Sequence, residues 1–322
     1  MRALKFYCLL IVIICAAIYA DYSLIDRVTN YYVESKVDHY DFLKYLWDYK
    51  SFFSCDFNPI CFITIKGLVT DHINFYILSP TAALINQYLQ LDVLQEKIPS
   101  LNIINAISII HAIVGIIAGF FIASSKLRFR RIGVILFELR YLLDDLGKIV
   151  SKELYGVEYE YVKYSETQKI TLYIDIFCNF ISIVWLLVVI NSFIIETEFM
   201  QLPVFTRYNK KYIQELKNSV ILDVIIIAIL LSISCIAWNY YTNIFEEKFE
   251  VYGTEFIKSS IFLAVAWMWK LFNIHALIQY TMIAIFSNNL IFFMKKAPMP
   301  VLFSLLYICF ISEIFIRIVF PD

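Results

Sequence analysis

Long apolar stretches separated by charged loops follow one another along most of this chain. An α-helix needs about 20 apolar residues to cross a bilayer, and seven stretches approach or exceed that length. They lie at residues 4–20, 102–123, 132–150, 170–195, 220–240, 260–292 and 301–320. The pattern predicts an all-α polytopic membrane protein. The stretch 260–292 contains Lys270, Asn273 and His275, so we expect it to tilt, kink or emerge into an interface.

The region between the first two stretches is more polar and predicts a separate segment. Residues 72–94 are apolar, but Pro80, Asn86, Gln87 and Gln90 interrupt them, which favours an amphipathic helix lying on the membrane. Residues 4–20 fit either a cleaved signal peptide or an uncleaved anchor, and the poor cleavage context favours the anchor. We therefore predict an N-terminal signal anchor at 1–20, a luminal segment at 21–100 and a six-helix transmembrane domain at 101–322.

The composition agrees with this class of protein. Hydrophobic residues make up 61% of the 322 positions and the mean hydropathy is +0.70, whereas a soluble domain is about one-half apolar. The formal net charge of −1 gives no argument for nucleic-acid binding. Cys55 and Cys61 lie outside the apolar stretches; whether they pair in an oxidising lumen stays open.

The charges of the short loops predict the orientation in the membrane. Cytosolic loops carry an excess of lysine and arginine. With the N-terminus in the cytosol, the basic clusters at 126–131, 207–217 and 295–296 face the cytosol, and the acidic clusters at 153–166 and 246–255 face the lumen. The alternation at every crossing predicts a membrane protein of the secretory pathway with its N-terminus in the cytosol.

Charged and polar side chains stand inside two neighbouring apolar stretches, near their luminal ends. Residues three or four apart share a helix face. One such face contains Arg140, Asp144, Lys148 and Ser151, and another contains Thr171, Asp175 and Asn179. Ionisable groups at membrane depth are costly and normally face a cavity, a partner or an ion. We predict a partly acidic pocket where the two faces meet; the simpler alternative is a charge ladder that stabilises one helix.

The spacing of these residues resembles the signature of the CDP-alcohol phosphatidyltransferases. That signature reads Asp-x2-Asp-Gly-x2-Ala-Arg, a variable gap, and then Gly-x3-Asp-x3-Asp. Asp144 and Asp175 keep two of its four aspartates, while Gly147 and Asn179 replace the other two. At the remaining positions stand Lys148 for the first glycine, Ser151 and Lys152 for Ala-Arg, and Thr171 for the second glycine.

The surroundings of this motif add to the resemblance. The run Asn105-Ala-Ile-Ser108 is similar to the entry of the family's first helix, and the basic run 128–131 follows that helix. The N-terminal anchor and luminal segment resemble the layout of the ceramide phosphoethanolamine synthases, a branch whose pocket lies in the Golgi lumen. The resemblance implies a six-helix bundle behind a signal anchor, in a Golgi or endoplasmic reticulum membrane.

The resemblance also implies a chemistry for the polar faces. In the family, carboxylates hold Mg²⁺ or Mn²⁺ against the diphosphate of the CDP-alcohol, and the last aspartate activates the acceptor hydroxyl. The implied metal ligands are Asp144 and Asp175. The implied substrate-binding residues are Arg140, Lys148, Ser151 and Lys152. Asn179 occupies the position of the base, and an amide cannot accept the proton. We therefore predict metal-dependent transfer that is weak or lost; a protein without the activity needs no metal.

Three functions stay open from the sequence. The first is transfer of phosphoethanolamine, or a similar phosphoalcohol, from a CDP-alcohol to ceramide, diacylglycerol or another lipid hydroxyl. The second is a non-catalytic protein that binds a lipid or nucleotide, with Lys148 in place of the metal. The third is a seven-span receptor or transporter. A homodimer is also left open.

Other polar residues in the apolar stretches have simpler interpretations. We expect Glu313 and Arg317, one helical turn apart, to form an ion pair. His111 lies in the first core helix, and we interpret it as a hydrogen-bonded packing residue in preference to a ligand. Asn273, His275 and Gln279 either line a headgroup pocket or form hydrogen bonds between helices.

Overall fold

The computed structural model describes residues 15, 17–22, 65–97, 102–155, 166–201 and 210–319, and these ranges contain helices but no strand. The main helices are α1 (Ile65–Leu68), α2 (Ser79–Leu89), α3 (Leu91–Lys97), α4 (Ile103–Ile122), α5 (Leu127–Tyr155), α6 (Glu166–Gln201), α7 (Lys210–Tyr252), α8 (Thr254–Lys258), α9 (Ser260–Phe272), α10 (Ile274–Phe286), α11 (Leu290–Lys296) and α12 (Pro298–Ile314). Two π-helical segments, Asn74–Leu78 and Phe315–Val319, complete the list. Cys55, Cys61 and most of the predicted anchor lie outside the described residues.

Four of these helices are long and apolar enough to cross a membrane. The spanning segments are Ile103–Ile122, Tyr173–Met200, Lys210–Phe249 and Pro298–Val319, the last of which joins α12 to the final π-helical segment. A fifth span results if α9 and α10 act as one broken helix, interrupted at Asn273, where the backbone is extended. The predicted all-α polytopic fold is confirmed. Helix α5 is not among the apolar helices because its predicted span contains many charged residues, so the span count and the domain boundaries stay predictions.

The chain forms two compact units. The first contains the described residues up to Tyr76, together with Cys235–Asn273 and those from Leu305 onward; the second contains Ile77–Ser234 and Ile274–Ser304. Both units combine segments distant in sequence, so neither is one continuous stretch of chain.

The first unit has an aromatic core. Phe245, Phe256, Phe262 and Phe315 are fully buried, and their rings lie 4.9–6.2 Å apart between centroids. Such distances are typical of favourable aromatic pairs. These contacts join α7, α8, α9 and the final π-helical segment into one core.

Polar contacts in the first unit follow the predictions for the apolar stretches. The Nε of Arg317 donates to Oε1 of Glu313 at 2.6 Å, which confirms the predicted ion pair. The side chain of Asn273 donates to the backbone oxygen of Val69 at 3.1 Å. This bond joins Asn273 to the turn that follows α1, so it is closer to the second alternative than to a headgroup pocket, although neither partner lies inside a helix.

In the second unit, α4 packs closely against α5 and α6. A Cβ atom at Gly133 on α5 would lie 2.8 Å from the backbone oxygen of Ala118 on α4, so only glycine allows this approach. At Gly115 on α4 a Cβ atom would lie 2.9 Å from Oγ of Ser182. Small residues commonly allow such close contact between membrane helices. The two glycines bring the polar faces of α5 and α6 close to α4.

Further contacts fix α2 and α10 on α5. Ala82 of α2 joins a buried cluster with Ile107, Leu146 and Val150. Gln279 of α10 donates to the carboxylate of Glu138 at 2.8 Å, which again favours interhelical bonding over a headgroup pocket. Helix α5 therefore contacts α2, α4, α6 and α10 of its own unit.

Candidate functional site

A polar cluster lies where α4, α5 and α6 meet, and Asp144 of α5 is at its centre. Asp144 is buried. Its Oδ1 accepts a hydrogen bond of 2.9 Å from the Nδ2 of Asn179 on α6, and its Oδ2 accepts one of 2.7 Å from the Nζ of Lys148 one turn further along α5. This ion pair between residues one helical turn apart is one step of the charge ladder given above as the simpler alternative.

Asn179 links the two remaining signature aspartates. An Nη2–H of Arg140 donates to its Oδ1, which directs its Nδ2 group toward the carboxylates. That group lies 2.9 Å from Asp144 and 3.4 Å from Oδ2 of Asp175, one turn earlier on α6. Arg140 therefore fixes the orientation of the amide, and the amide positions both carboxylates.

Helix α4 contributes two side chains to the cluster. The hydroxyl of Ser108 donates to Oδ1 of Asp175 at 3.1 Å. His111, one turn further along, is fully buried, and its Nδ1 lies 3.6 Å from Oδ1 of Asp144. One ligand atom each from His111, Asp144 and Asp175 can be chosen so that all lie within 4.8 Å of one another.

The sequence interpretation of His111 as a packing residue missed its place beside the carboxylates. A signal was present: Ser108, His111 and Gly115 recur at offsets of three and four on an otherwise apolar helix. This spacing places two polar side chains and a point of close approach on one helix face. Only the packing of α4 against α5 and α6 indicates which partners that face meets.

Lys148 is the accessible part of the cluster. Its side chain is 53% exposed, and its ammonium group also lies 3.5 Å from Oδ1 of Asp145. The other oxygen of Asp145 accepts a hydrogen bond of 2.8 Å from Ser79 at the start of α2. The lysine therefore bridges two carboxylates while it remains open to its surroundings.

The other predicted substrate-binding residues are less accessible. Arg140 and Ser151 are each 1% exposed. The Arg140 guanidinium lies against the rings of Phe137 and Tyr141, at 5.4 and 4.9 Å from their centroids. The Oγ of Ser151 has no hydrogen-bond partner within the described ranges. The side chain of Lys152, and that of Thr171, fall outside the part of the chain that the structure describes.

The charges of the cluster favour a bound cation. Asp144, Asp145 and Asp175 carry three formal negative charges against two positive charges on Arg140 and Lys148, which leaves −1. Buried carboxylates need a paired charge or a metal ion, and oxygen and imidazole donors suit divalent cations. The residues present therefore fit a divalent metal ion.

A cavity of about 430 Å³ elsewhere in the second unit shares no residue with this cluster. It lies between α6 and α7 and includes Glu196 and Lys217. No group of His, Cys, Asp or Glu with metal-ligand spacing is found there in the described chain. Among the described residues, the group with metal-ligand spacing is the one that includes Asp144.

The fold and the cluster define an all-α polytopic membrane protein with a carboxylate site held between helices. The family model for ceramide phosphoethanolamine synthase matches residues 3–318, and the chain belongs to this family. The predicted resemblance is confirmed.

One curated relative supports this assignment. The ceramide phosphoethanolamine synthase of Drosophila melanogaster is 30% identical over 262 residues, which cover 75% of this chain and 64% of the relative. The match thus spans less than two thirds of the relative's own length. No solved structure matches this chain.

Proposed function

We propose that this protein transfers phosphoethanolamine from CDP-ethanolamine to the hydroxyl group of ceramide and releases CMP. The observation that carries this proposal is the placement of Asp144 and Asp175 beside the same amide group, on two adjacent helices. Family membership supports the choice of donor and acceptor.

The reaction exchanges one bond to phosphorus for another. The ceramide oxygen forms a bond to the phosphorus that carries ethanolamine, and the bond between that phosphorus and the CMP oxygen breaks. The hydroxyl proton passes to water or to a basic group. The protein must therefore neutralise the diphosphate and hold the acceptor hydroxyl in line with the breaking bond.

The residues of the cluster suit the first of these tasks. Asp144 and Asp175 would hold a Mg²⁺ or Mn²⁺ ion, which when bound neutralises the diphosphate and the departing CMP. The exposed ammonium of Lys148 attracts the same phosphates as a point charge. Asn179 keeps both carboxylates in position through its amide.

The replaced aspartates predict slow transfer. A general base commonly contributes about 10²–10⁴ in rate, and Asn179 at the usual base position cannot accept the proton. Two carboxylates in place of four also predict weaker metal binding. We therefore expect a turnover number below that of a family member with all four aspartates.

The test is the reaction itself, carried out with the full chain purified in detergent. We expect CDP-ethanolamine labelled in the ethanolamine group, with Mn²⁺ and ceramide, to give labelled ceramide phosphoethanolamine. Diacylglycerol in parallel reactions tests the acceptor. The double variant Asp144→Asn/Asp175→Asn is the negative control. Absence of product from folded wild-type protein with either acceptor would overturn the proposal.

A second candidate is a non-catalytic protein that binds a nucleotide or lipid phosphate. The ion pair of 2.7 Å between Lys148 and Asp144 favours it, because it places a cation where the metal would act. It predicts binding of CDP-ethanolamine in the presence of a chelator and loss of that binding in Lys148→Ala. The exposed Lys217 supplies the matched control, Lys217→Ala, in which binding should persist.

The receptor or transporter alternative has no corresponding support, since the two acidic helices are adjacent and the chain belongs to an enzyme family.

We further propose a Golgi or endoplasmic reticulum membrane, with the N-terminus in the cytosol and the cluster open to the lumen. The alternating loop charges support this orientation. Glycosylation sequons introduced singly at 156–165 and at 207–209 test it. The first should be glycosylated in microsomes and the second should not; the opposite result would invert the orientation.

A further inference from the structure

His111 is a buried histidine whose two ring nitrogens are both unsatisfied. Its side chain is fully buried, and neither Nδ1 nor Nε2 has a hydrogen-bond partner among the residues that the structure describes. A buried polar group without a partner destabilises the folded state. Most such groups in folded proteins are satisfied, so an exception calls for an explanation such as an ion.

The distances around His111 suit coordination better than hydrogen bonding. Its Nδ1 lies 3.6 Å from Oδ1 of Asp144, beyond the usual range for a hydrogen bond. Two ligands on one metal ion at about 2.1 Å each lie roughly 3–4 Å apart. Since the ligand atoms of His111, Asp144 and Asp175 lie within 4.8 Å of one another, small side-chain rotations bring them to that spacing.

We propose that His111 is a ligand of the metal ion held by Asp144 and Asp175. The proposal rests on the metal site of the proposed function and adds a nitrogen ligand from α4. Imidazole is a common ligand of divalent transition metals in proteins. The replacement of two signature aspartates would be offset in part by this nitrogen.

When no metal ion is bound, the ammonium group of Lys148 occupies part of the space that the ion would need. Its Nζ lies 2.7 Å from Oδ2 of Asp144, where it would repel a metal ion. Because the side chain is 53% exposed, it can turn away from Asp144 when a metal binds. The lysine and the metal ion are therefore alternative cations for the same carboxylate.

Neighbouring hydrogen bonds hold the proposed ligands in place. Ser108 donates to Asp175, and Asn179 donates to both carboxylates. Partners of this kind orient metal ligands, and their loss typically weakens metal binding 10–100-fold. Loss of a ligand itself should have at least this effect.

The test is Mn²⁺ binding to the purified full chain, followed by electron paramagnetic resonance. Electron spin-echo modulation of bound Mn²⁺ should show coupling to an imidazole nitrogen. His111→Phe keeps a ring of similar size but has no ligand atom; it should lose the nitrogen coupling and bind Mn²⁺ at least about tenfold more weakly. His275→Phe, in the same unit, is the matched control and should behave as the wild type.

Two results would overturn the assignment of His111. One is a wild-type Mn²⁺ complex without nitrogen coupling, which needs no variant and does not depend on how His111→Phe folds. The other is unchanged affinity and coupling in His111→Phe. If the wild type transfers phosphoethanolamine but shows no nitrogen coupling, His111 is not a ligand and the proposed function is kept. If it shows nitrogen-coupled Mn²⁺ but no transfer, His111 is a ligand and the proposed function is wrong.

Discussion

Two buried aspartates in this molecule are each paired with a lysine, and the two pairs differ in how completely they are enclosed. Asp21 of the first unit pairs with Lys270 at 2.6 Å, and both side chains are at least 90% buried. Asp144 of the second unit pairs with Lys148 at 2.7 Å, but that lysine is 53% exposed. The distances are nearly equal, so exposure separates the two pairs.

The enclosed pair is also fully satisfied. Asp21 accepts further hydrogen bonds from His72 at 2.9 Å and from Tyr76 at 2.5 Å. Burial raises the pKa of Asp21, but the bond to His72 and the charge of Lys270 outweigh it and lower the pKa to about 2. The carboxylate of Asp21 is therefore ionised at neutral pH. The ammonium of Lys270 has a second favourable contact, since it lies 5.0 Å from the centre of the Phe75 ring.

The open pair has unsatisfied neighbours. His111 and two nitrogens of Arg140 are buried beside Asp144 without a hydrogen-bond partner in the described residues. Breaking a closed pair leaves a buried charge without its counter-ion, whereas an open pair beside unsatisfied donors can exchange one partner for a ligand. We therefore expect a change at Asp21 to affect stability and a change at Asp144 to affect the proposed metal site.

The largest expected effect is on stability, in Asp21→Ala. This change leaves the Lys270 ammonium buried without its counter-ion, which typically costs about 3–5 kcal/mol. Reversible unfolding by SDS in mixed micelles measures the loss. The double variant Asp21→Ala/Lys270→Met should recover most of it, because no unpaired charge then remains. A loss below about 1 kcal/mol in the single variant would end the distinction between the pairs.

The next effect is on activity, in Asp144→Asn. The amide keeps an acceptor for Asn179 but loses the charge that binds metal, so we expect transfer to fall at least about 100-fold. The free energy of unfolding should change by no more than about 1 kcal/mol. Asp223→Asn is the matched control, since Asp223 lies on α7 in the same unit and is not in the polar cluster. Equal losses of transfer activity in both variants would show that the metal site is not at Asp144.

The sequence was sufficient for the fold class and for several contacts within one helix. Apolar stretches of spanning length predicted the helices, and the offset of four residues predicted the pairs Asp144–Lys148 and Glu313–Arg317. Such pairs follow from helix geometry alone. The family signature then indicated which charged face to examine.

Contacts that depend on packing between helices were beyond the sequence. The proximity of His111 to Asp144 depends on the close approach of α4 and α5. Gly133 allows this approach, but a glycine in the sequence does not indicate which helix will pack against it. Similarly, Asp21 and Lys270 are 249 positions apart, and no local spacing rule relates them. The hydrogen bond from Arg140 to Asn179 has the same cause, since it joins α5 to α6.

A smaller effect is expected when Lys148 is changed, and its direction is informative. Lys148→Met keeps the length of the side chain but removes the charge that competes with metal at Asp144. We expect Mn²⁺ to bind about fivefold more tightly, while the KM for CDP-ethanolamine rises because a phosphate-binding charge is lost. Lys148→Arg should leave the Mn²⁺ affinity near the wild-type value. Weaker Mn²⁺ binding in Lys148→Met would contradict the exchange of cations.

The smallest effect is expected for the exposed pair Glu313–Arg317 in the first unit. Arg317 is 76% exposed, and exposed ion pairs on one helix contribute about 0.3–0.5 kcal/mol. Arg317→Gln should therefore change the free energy of SDS unfolding by no more than that amount. This change in the free energy of unfolding is the reference value for removing an exposed charge from the unit that contains Asp21. If Arg317→Gln and Asp21→Ala destabilised the protein equally, enclosure would not be what distinguishes the buried pair.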